Sequence, residues 1–191
     1  MGLMEIEGFE VKITSKKCPI PQFSISIEAK TPESLEGVIE VLAIKYPPSK
    51  AIYSKEYRSV TLRIFNRMIG IYESGLIAFC AENLDDAKRV LGEVKKIIED
   101  ARRDALTMGV PSEEEVEKWN KLDTLKLYRC LPKTNCGECG EATCIALAAK
   151  VLSGERKLSE CSLLKRKEYS HLIEGFREEY GDRILRALGW S

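Results

Sequence analysis

Apolar and polar residues alternate along five short segments in the first eighty residues. The segments are 9–13, 23–27, 60–65, 69–71 and 76–80. A period of two is typical of half-buried strands. Asn66 and Gly75 are suitable turn residues between the last three segments. The pattern predicts a largely antiparallel sheet.

Two helices are predicted within the same region. The first begins with Thr31 as N-cap and Pro32 in the first helical position, and it stops before Pro47 and Pro48. The second is capped near Asn83 and has apolar residues at spacings of three and four. Its stripe consists of Leu84, Ala87, Leu91, Val94, Ile98 and Ala101. The region is therefore expected to have an α+β fold.

A polar segment follows Gly109-Val110-Pro111. Ser112 and Glu115 have the spacing of a capping box, which predicts a helix over residues 113–126 with Trp119 as its one large apolar group. The predicted domains are thus an α+β domain at 1–108, a connector helix at 109–127 and a small helical module at 128–191.

Composition excludes several classes of protein. Thirty basic residues balance thirty acidic ones, whereas proteins that bind nucleic acid usually have a basic excess. No stretch approaches the roughly 20 apolar residues that cross a bilayer, and the N-terminus lacks the apolar core of a signal peptide. We therefore expect a cytoplasmic protein that does not bind membrane, and the balanced charge disfavours a nucleic-acid partner. Seven cysteines in a reducing compartment indicate metal or redox chemistry more than disulfides.

Four of the cysteines form a metal-binding pattern. Cys136, Cys139, Cys144 and Cys161 have the spacing C-x2-C-x4-C-x16-C. Four thiolates satisfy a 4Fe-4S cluster, one for each iron. Gly137 and Gly140 allow the backbone to bend around such a cluster.

A helix is predicted directly behind these ligands. It starts at Cys144 and ends at Ser153-Gly154, with the glycine in the C′ position. The helix dipole at Cys144 favours negative charge. Residues 162–191 are expected to form one or two further helices.

Structural zinc is the main alternative at these cysteines. Structural zinc usually takes two short Cys pairs, whereas this chain has one pair, a gap of four residues and a distant fourth cysteine. The spacing therefore favours an iron–sulfur cluster.

The segment LPKTNCGECGEATCIALAAKVLSGERKLSEC resembles a known family of 4Fe-4S domains. The family includes the domain at the start of the large (gamma) subunit of the corrinoid iron–sulfur protein of acetyl-CoA decarbonylase/synthase, and a domain in the B subunit of ion-pumping ferredoxin:NAD oxidoreductases. The resemblance implies that the four cysteines ligate a low-potential cluster, which near the corrinoid protein returns Co(II) corrinoid to Co(I).

The chain also departs from this family. Family members often carry proline after the second glycine or after the last cysteine, where this chain has Glu141 and Ser162. Nothing after Cys161 is long enough for the barrel and corrinoid-binding domains of that subunit.

Residues 23–104 resemble one repeat of the TATA-binding-protein fold in their order of strand, helix, strands and long helix. The resemblance implies the fold, while the balanced charge argues against DNA binding. A single repeat would leave one sheet face open, so partner binding or a homodimer through the sheet is expected.

The remaining candidate residues are interpreted as structural. Cys80 is expected in the core, Cys18 in a basic loop and Cys130 as a small buried side chain. The alternatives are a spare-ligand or redox role for Cys130 and a redox thiol with a lowered pKa for Cys18. His171 is the one histidine, so a histidine-based metal site or catalytic triad is not expected.

The sequence as a whole indicates an electron-transfer or accessory protein more than a stand-alone enzyme. A redox partner is expected, with a corrinoid protein of anaerobic one-carbon metabolism as the specific candidate. A regulatory iron–sulfur protein associated with nucleic acid is the alternative function.

Overall fold

The protein was analysed as a computed structural model, which describes residues 3–14, 18 and 21–190. It divides into two compact units, the first comprising Met1–Ala43 with Ala51–Pro111 and the second Ile44–Lys50 with Ser112–Ser191. Most of the predicted basic loop around Cys18 lies outside the described residues.

The first unit contains seven strands and two helices among its described residues. The strands are β1 Met4–Ile6, β2 Phe9–Thr14, β3 Ile25–Lys30, β4 Ala51–Ser54, β5 Ser59–Ile64, β6 Arg67–Tyr72 and β7 Leu76–Ala81. They form one sheet in the order β1-β2-β3-β7-β6-β5-β4, and adjacent strands are antiparallel throughout. The predicted α+β class and antiparallel sheet are confirmed, and β1 and β4 are additions to the prediction.

One face of the sheet carries the core of this unit. Two rows of paired residues run across the strands, one through Ala29, Ile77 and Ile71, the other through Ile27 and Phe79. All five side chains are buried. Helix α2, Leu84–Met108, contacts β7. Its predicted N-cap is confirmed, because the Asn83 side chain accepts a hydrogen bond from the Asp86 N–H.

Helix α1, Val38–Lys45, begins six residues after Pro32, the predicted first helical position. The chain before it uses its backbone groups elsewhere: the Thr31 N–H donates to the Gly75 carbonyl at 3.0 Å, and the Leu35 N–H donates to the Glu73 carbonyl at 2.8 Å. The Thr31 side chain binds Glu33 within a local turn instead of capping a helix.

An ion pair buried in the first unit joins β6 to the start of α2. Arg67 donates to both carboxylate oxygens of Asp86, at 2.7 and 3.2 Å. Burial raises the pKa of Asp86, but the hydrogen bonds from Arg67, the Glu82 N–H and Arg89 outweigh it, and the net pKa is about 2. The guanidinium also lies 4.7 Å from the centroid of the Phe23 ring.

The second unit contains helices α3 to α7 among its described residues. They are α3 Glu113–Asn120, α4 Thr124–Arg129, α5 Cys144–Ser153, α6 Ser170–Tyr180 and α7 Asp182–Ala187, with 3₁₀ turns at Leu158–Glu160, Ser162–Lys165 and Lys167–Tyr169. The capping box of Ser112 and Glu115 is present as predicted. The single connector helix predicted over 113–126 is wrong, because α3 ends near Lys121 and Asp123 caps a new helix.

Trp119 anchors α3 within the second unit. Its side chain is buried, and its indole N–H donates to the Tyr46 carbonyl at 3.1 Å. Across the described residues, no helix combines the length and the apolar character needed to cross a membrane.

Candidate iron–sulfur site

The segment between α4 and α5 bends sharply around the first cysteines of the motif. Gly137 and Gly140 have φ angles of +76° and +83°, and the Gly140 N–H donates to the Gly137 carbonyl at 2.9 Å. A Cβ at Gly137 would meet no atom within 4 Å. Glycine is therefore favoured here by the positive φ and not by a lack of space. Lys133 and Asn135 also have positive φ. The predicted glycine bend is therefore present.

Cys144 is the first residue of α5, as predicted. The Thr143 side chain caps the helix by accepting from the Ala146 N–H, and Asn135 Oδ1 accepts from the Cys144 N–H at 2.9 Å. The N–H groups of Cys144 and Ala146 therefore already have acceptors within the protein. The helix dipole as a whole still favours a negatively charged thiolate at Cys144. Asn135 also joins the bend to the helix.

Cys161 lies between two 3₁₀ turns after α5. Gly154 ends α5 in the left-handed conformation, as predicted, and the N–H groups of Glu155 and Arg156 both donate to the Lys150 carbonyl. Burial raises the pKa of the Cys161 thiol, and backbone N–H groups of Leu164 and Leu163 partly oppose the effect.

All four predicted ligand cysteines line one small pocket within the second unit. Their exposure is graded: Cys136 is exposed, Cys139 is half-buried, and Cys144 and Cys161 are buried. Among the described residues, no group of three or more His, Cys, Asp or Glu side chains is placed to hold a single metal ion. A cubane cluster has a different requirement, because each thiolate binds a different iron.

The donor set fits an iron–sulfur cluster in its chemistry. Four soft thiols converge on one pocket, and soft thiolate ligands select iron–sulfur clusters and zinc over hard cations. The bend at Gly137 leaves open space beside the pocket. When bound, a cluster at these residues would supply one-electron redox chemistry.

Lys133 does not point into this pocket. Its ammonium lies 5.7 Å from the centroid of the Tyr128 ring, and the residue is exposed. Lys133 is not among the residues that line the cysteine pocket.

Cys130 is separate from the four ligands. It is half-buried at the end of α4, its thiol donates to the Lys126 carbonyl at 3.7 Å, and it does not line the cysteine pocket. Burial and the nearby Glu179 raise its pKa to about 11. The structural interpretation of Cys130 therefore fits better than a reactive thiol.

Cys18 and Cys80 form a disulfide, which corrects the predictions of a plain loop thiol and a core thiol. Cys80 precedes buried Ala81 and follows buried Phe79, so alternation turns its side chain to the opposite sheet face. It pairs there with Ser26 of β3. The sequence contained a sign of this, because Cys80 lies between Phe79 and Ala81 in an alternating strand and so faces away from the core. His171 is exposed on α6, as predicted.

Comparison with known proteins defines the class of the cysteine segment. Residues 131–162 match the family described as "Putative Fe-S cluster". This match confirms the predicted iron–sulfur cofactor and the predicted family resemblance of the segment.

The relatives that share this segment are much larger proteins. The chain is 51% identical over 47 residues to the acetyl-CoA decarbonylase/synthase complex subunit gamma of Methanosarcina acetivorans, covering 24% of this chain and 10% of the relative. It is 50% identical over 40 residues to the corrinoid/iron-sulfur protein large subunit of Moorella thermoacetica, covering 21% of this chain and 9% of the relative. The chain thus spans about a tenth of these relatives.

No solved structure matches the chain. The resemblance of residues 23–104 to a TATA-binding-protein repeat therefore stays a prediction from the order of the elements.

Proposed function

We propose that this chain transfers single electrons to a protein partner through a 4Fe-4S cluster bound by Cys136, Cys139, Cys144 and Cys161. The observation that carries the proposal is the convergence of these four thiols on one pocket, within a segment that matches an iron–sulfur family. One thiolate for each iron completes the ligand set of a cubane.

The graded exposure of the ligands supports electron exchange from one side. Buried Cys144 and Cys161 hold the inner part of the site, while Cys136 lies at the surface. A partner that docks over the bend at Gly137 would approach the cysteine sulfurs most closely. Burial on the inner side excludes water and so limits side reactions.

Among the described residues, Glu141 is the one ionisable residue besides the four cysteines that lines this pocket. Its residues bind and orient the cofactor, and the pocket lining includes no histidine, lysine or arginine. An accessory role in electron transfer therefore fits better than catalysis on a bound substrate.

Anaerobic reconstitution with iron and sulfide tests the cluster. We expect four irons and four sulfides per chain, and an EPR signal in the reduced protein that is lost in Cys136→Ser. Cys130→Ser is the matched control and should keep both, because Cys130 does not line the pocket. Stoichiometric zinc without sulfide, or a protein that cannot be reduced by one electron, would contradict the proposal.

A corrinoid protein is the proposed partner, because the relatives that share the segment are named as a corrinoid/iron-sulfur subunit and as subunits of acetyl-CoA decarbonylase/synthase. Mixing the reduced protein with a Co(II) corrinoid protein should convert the corrinoid absorption to that of Co(I). A loaded, reducible protein that never reduces the corrinoid would exclude this partner and leave the cluster proposal intact.

The uncovered face of the sheet is the proposed site for a partner or a second copy of the chain. Charged side chains of both signs lie along its strands, among them Lys12, Glu28 and Lys30. Among the residues that the structure describes on this face, the mixed charges give no basic surface for nucleic acid. Sedimentation over a range of protein concentrations measures the proposed homodimer.

A further inference from the structure

A buried carboxylate, two residues after Cys139, lines the cysteine pocket. Glu141 is only 7% exposed. Its Oε1 accepts from Lys150 Nζ at 2.8 Å and from Arg156 Nε at 3.3 Å. Lys150 belongs to α5 and Arg156 follows it, so this carboxylate ties the bend to the helix and to the chain that returns towards Cys161.

The same network continues to the residue before Cys161. Arg156 donates from NH1 to Glu160 Oε2 at 2.8 Å, and Glu160 also accepts from the Lys157 N–H at 2.7 Å. Glu141, Lys150, Arg156 and Glu160 therefore form a continuous set of charge-assisted hydrogen bonds, called here the Glu141 bridge.

A second carboxylate reaches the residue after Cys161. Glu138, between Cys136 and Cys139, accepts from the Ser162 hydroxyl. Each of its oxygens also lies 3.2 Å from Arg166 NH2. Glu138, Ser162 and Arg166 are called here the Glu138 bridge.

The two bridges hold Cys161 from both sides. Three of the ligands fall within nine residues, whereas Cys161 is 17 residues beyond Cys144, so the local bend cannot fix its place. The residue before it is linked to Glu141 and the residue after it to Glu138. Both contacts cross from the bend to the returning chain.

We propose that Glu138 and Glu141 are positioning residues that hold Cys161 in the same pocket as the other three ligands and set the charge beside the cluster. This inference rests on the proposed function, because it concerns the same site.

Replacement of either glutamate by glutamine tests the proposal. Glu141→Gln keeps the size of the side chain but removes the carboxylate that Lys150 and Arg156 share. Partners of metal ligands typically contribute about 10- to 100-fold in metal affinity. We therefore expect Glu141→Gln to lose the cluster to a chelator about 10- to 100-fold faster than the unmodified protein, and Glu138→Gln to lose it faster by a smaller factor, because Glu138 is exposed.

Glu155→Gln is the matched control. Glu155 is exposed in the same returning segment and accepts from the Ser153 hydroxyl without reaching the bend. It should lose the cluster within about twofold of the unmodified rate, since surface changes have small effects.

The reduction potential separates positioning from a general loss of stability. Removing a negative charge beside the site favours the reduced, more negative state, so both bridge variants should have a more positive midpoint potential in an EPR-monitored titration. Glu155→Gln should not change it. Potentials and loss rates equal to those of the unmodified protein would overturn the proposal.

A double-mutant cycle covers the case in which a single variant folds poorly. If Glu141 acts through Arg156, the combination of Glu141→Gln and Arg156→Gln should cost little more than either change alone. Fully additive effects would refute the bridge. If the unmodified protein binds zinc and no sulfide, the proposed function fails, while the rate of zinc loss from the same variants still decides whether the bridges position the ligands.

Discussion

Replacing Gly154 with alanine should strongly destabilise the second unit. Gly154 ends α5 with φ +76° and ψ 16°, a left-handed conformation that costs other residues about 1–2 kcal/mol. The added Cβ would also lie 2.7 Å from Pro47 Cγ. Overpacking of this kind costs about 1–3 kcal/mol. Together the two effects lower the free energy of unfolding by about 2–5 kcal/mol.

Gly175→Ala provides a control of opposite sign. Gly175 is exposed in the middle of α6, and a Cβ there meets no atom within 4 Å. Alanine in a helix is favoured over glycine by about 0.5–1 kcal/mol. The same substitution should therefore stabilise this unit at one glycine and destabilise it at the other.

Urea unfolding of the metal-free protein, followed by tryptophan fluorescence, measures both changes. The chain has two tryptophans, Trp119 and Trp190, and both belong to the second unit. The transition midpoint should fall for Gly154→Ala and rise slightly for Gly175→Ala, with an unchanged slope. A Gly154→Ala protein as stable as the parent would refute the reasoning from backbone conformation and contact.

Two further predictions concern the first unit. The pKa of Asp86 is lowered from 3.8 to about 2 in the folded protein, so its contribution, about 2 kcal/mol, is present above pH 4 and is lost as the pH falls through 2. Urea unfolding followed by circular dichroism measures the free energy of unfolding at pH 6 and at pH 2.5. This free energy should fall less between the two pH values in Asp86→Asn than in Asp85→Asn, and equal falls would contradict the prediction. Reduction of the disulfide between Cys18 and Cys80, which are 62 residues apart, should lower the free energy of unfolding by about 4 kcal/mol on the chain-entropy estimate. In the double variant Cys18→Ser, Cys80→Ser, the reductant should leave the free energy of unfolding unchanged. If the reductant also leaves that of the parent protein unchanged, a stabilising disulfide is excluded.

Local sequence patterns were sufficient to predict several features of the helices that the structure confirms. The stripe and the Asn83 cap of α2, the capping box at Ser112 and the glycine end of α5 each depend on residues within one or two turns. Such signals act through neighbours in sequence. They were therefore predictable without knowledge of the rest of the molecule.

The errors came from contacts that are distant in sequence. Thr31 has the sequence of a helix cap, but its N–H pairs with Gly75, 44 residues away, and the helix starts later. Short β4 gave too few alternating residues to be recognised, and its place depends on pairing with β5. Cys80 was assigned to the core because its strand is apolar, although its neighbours Phe79 and Ala81 already occupy that face.

The candidate site also has one part that local sequence predicts and another that depends on contacts distant in sequence. The clustering of three cysteines around two glycines was readable from nine residues of sequence, and the segment match supports the cofactor. The roles of Glu138 and Glu141 were not readable. Their partners are 9 to 28 residues away, and each glutamate resembles an ordinary surface charge until the returning chain is placed.

The unequal burial of the four thiols has a consequence for handling the protein. Cys136 is at the surface while Cys144 and Cys161 are enclosed, so dissolved oxygen, chelators and alkylating reagents all reach the pocket at the same corner. The corner best suited to electron exchange is also the corner at which damage begins. A partner protein seated there would shield it, and the cofactor should last longer in the complex than in the isolated chain.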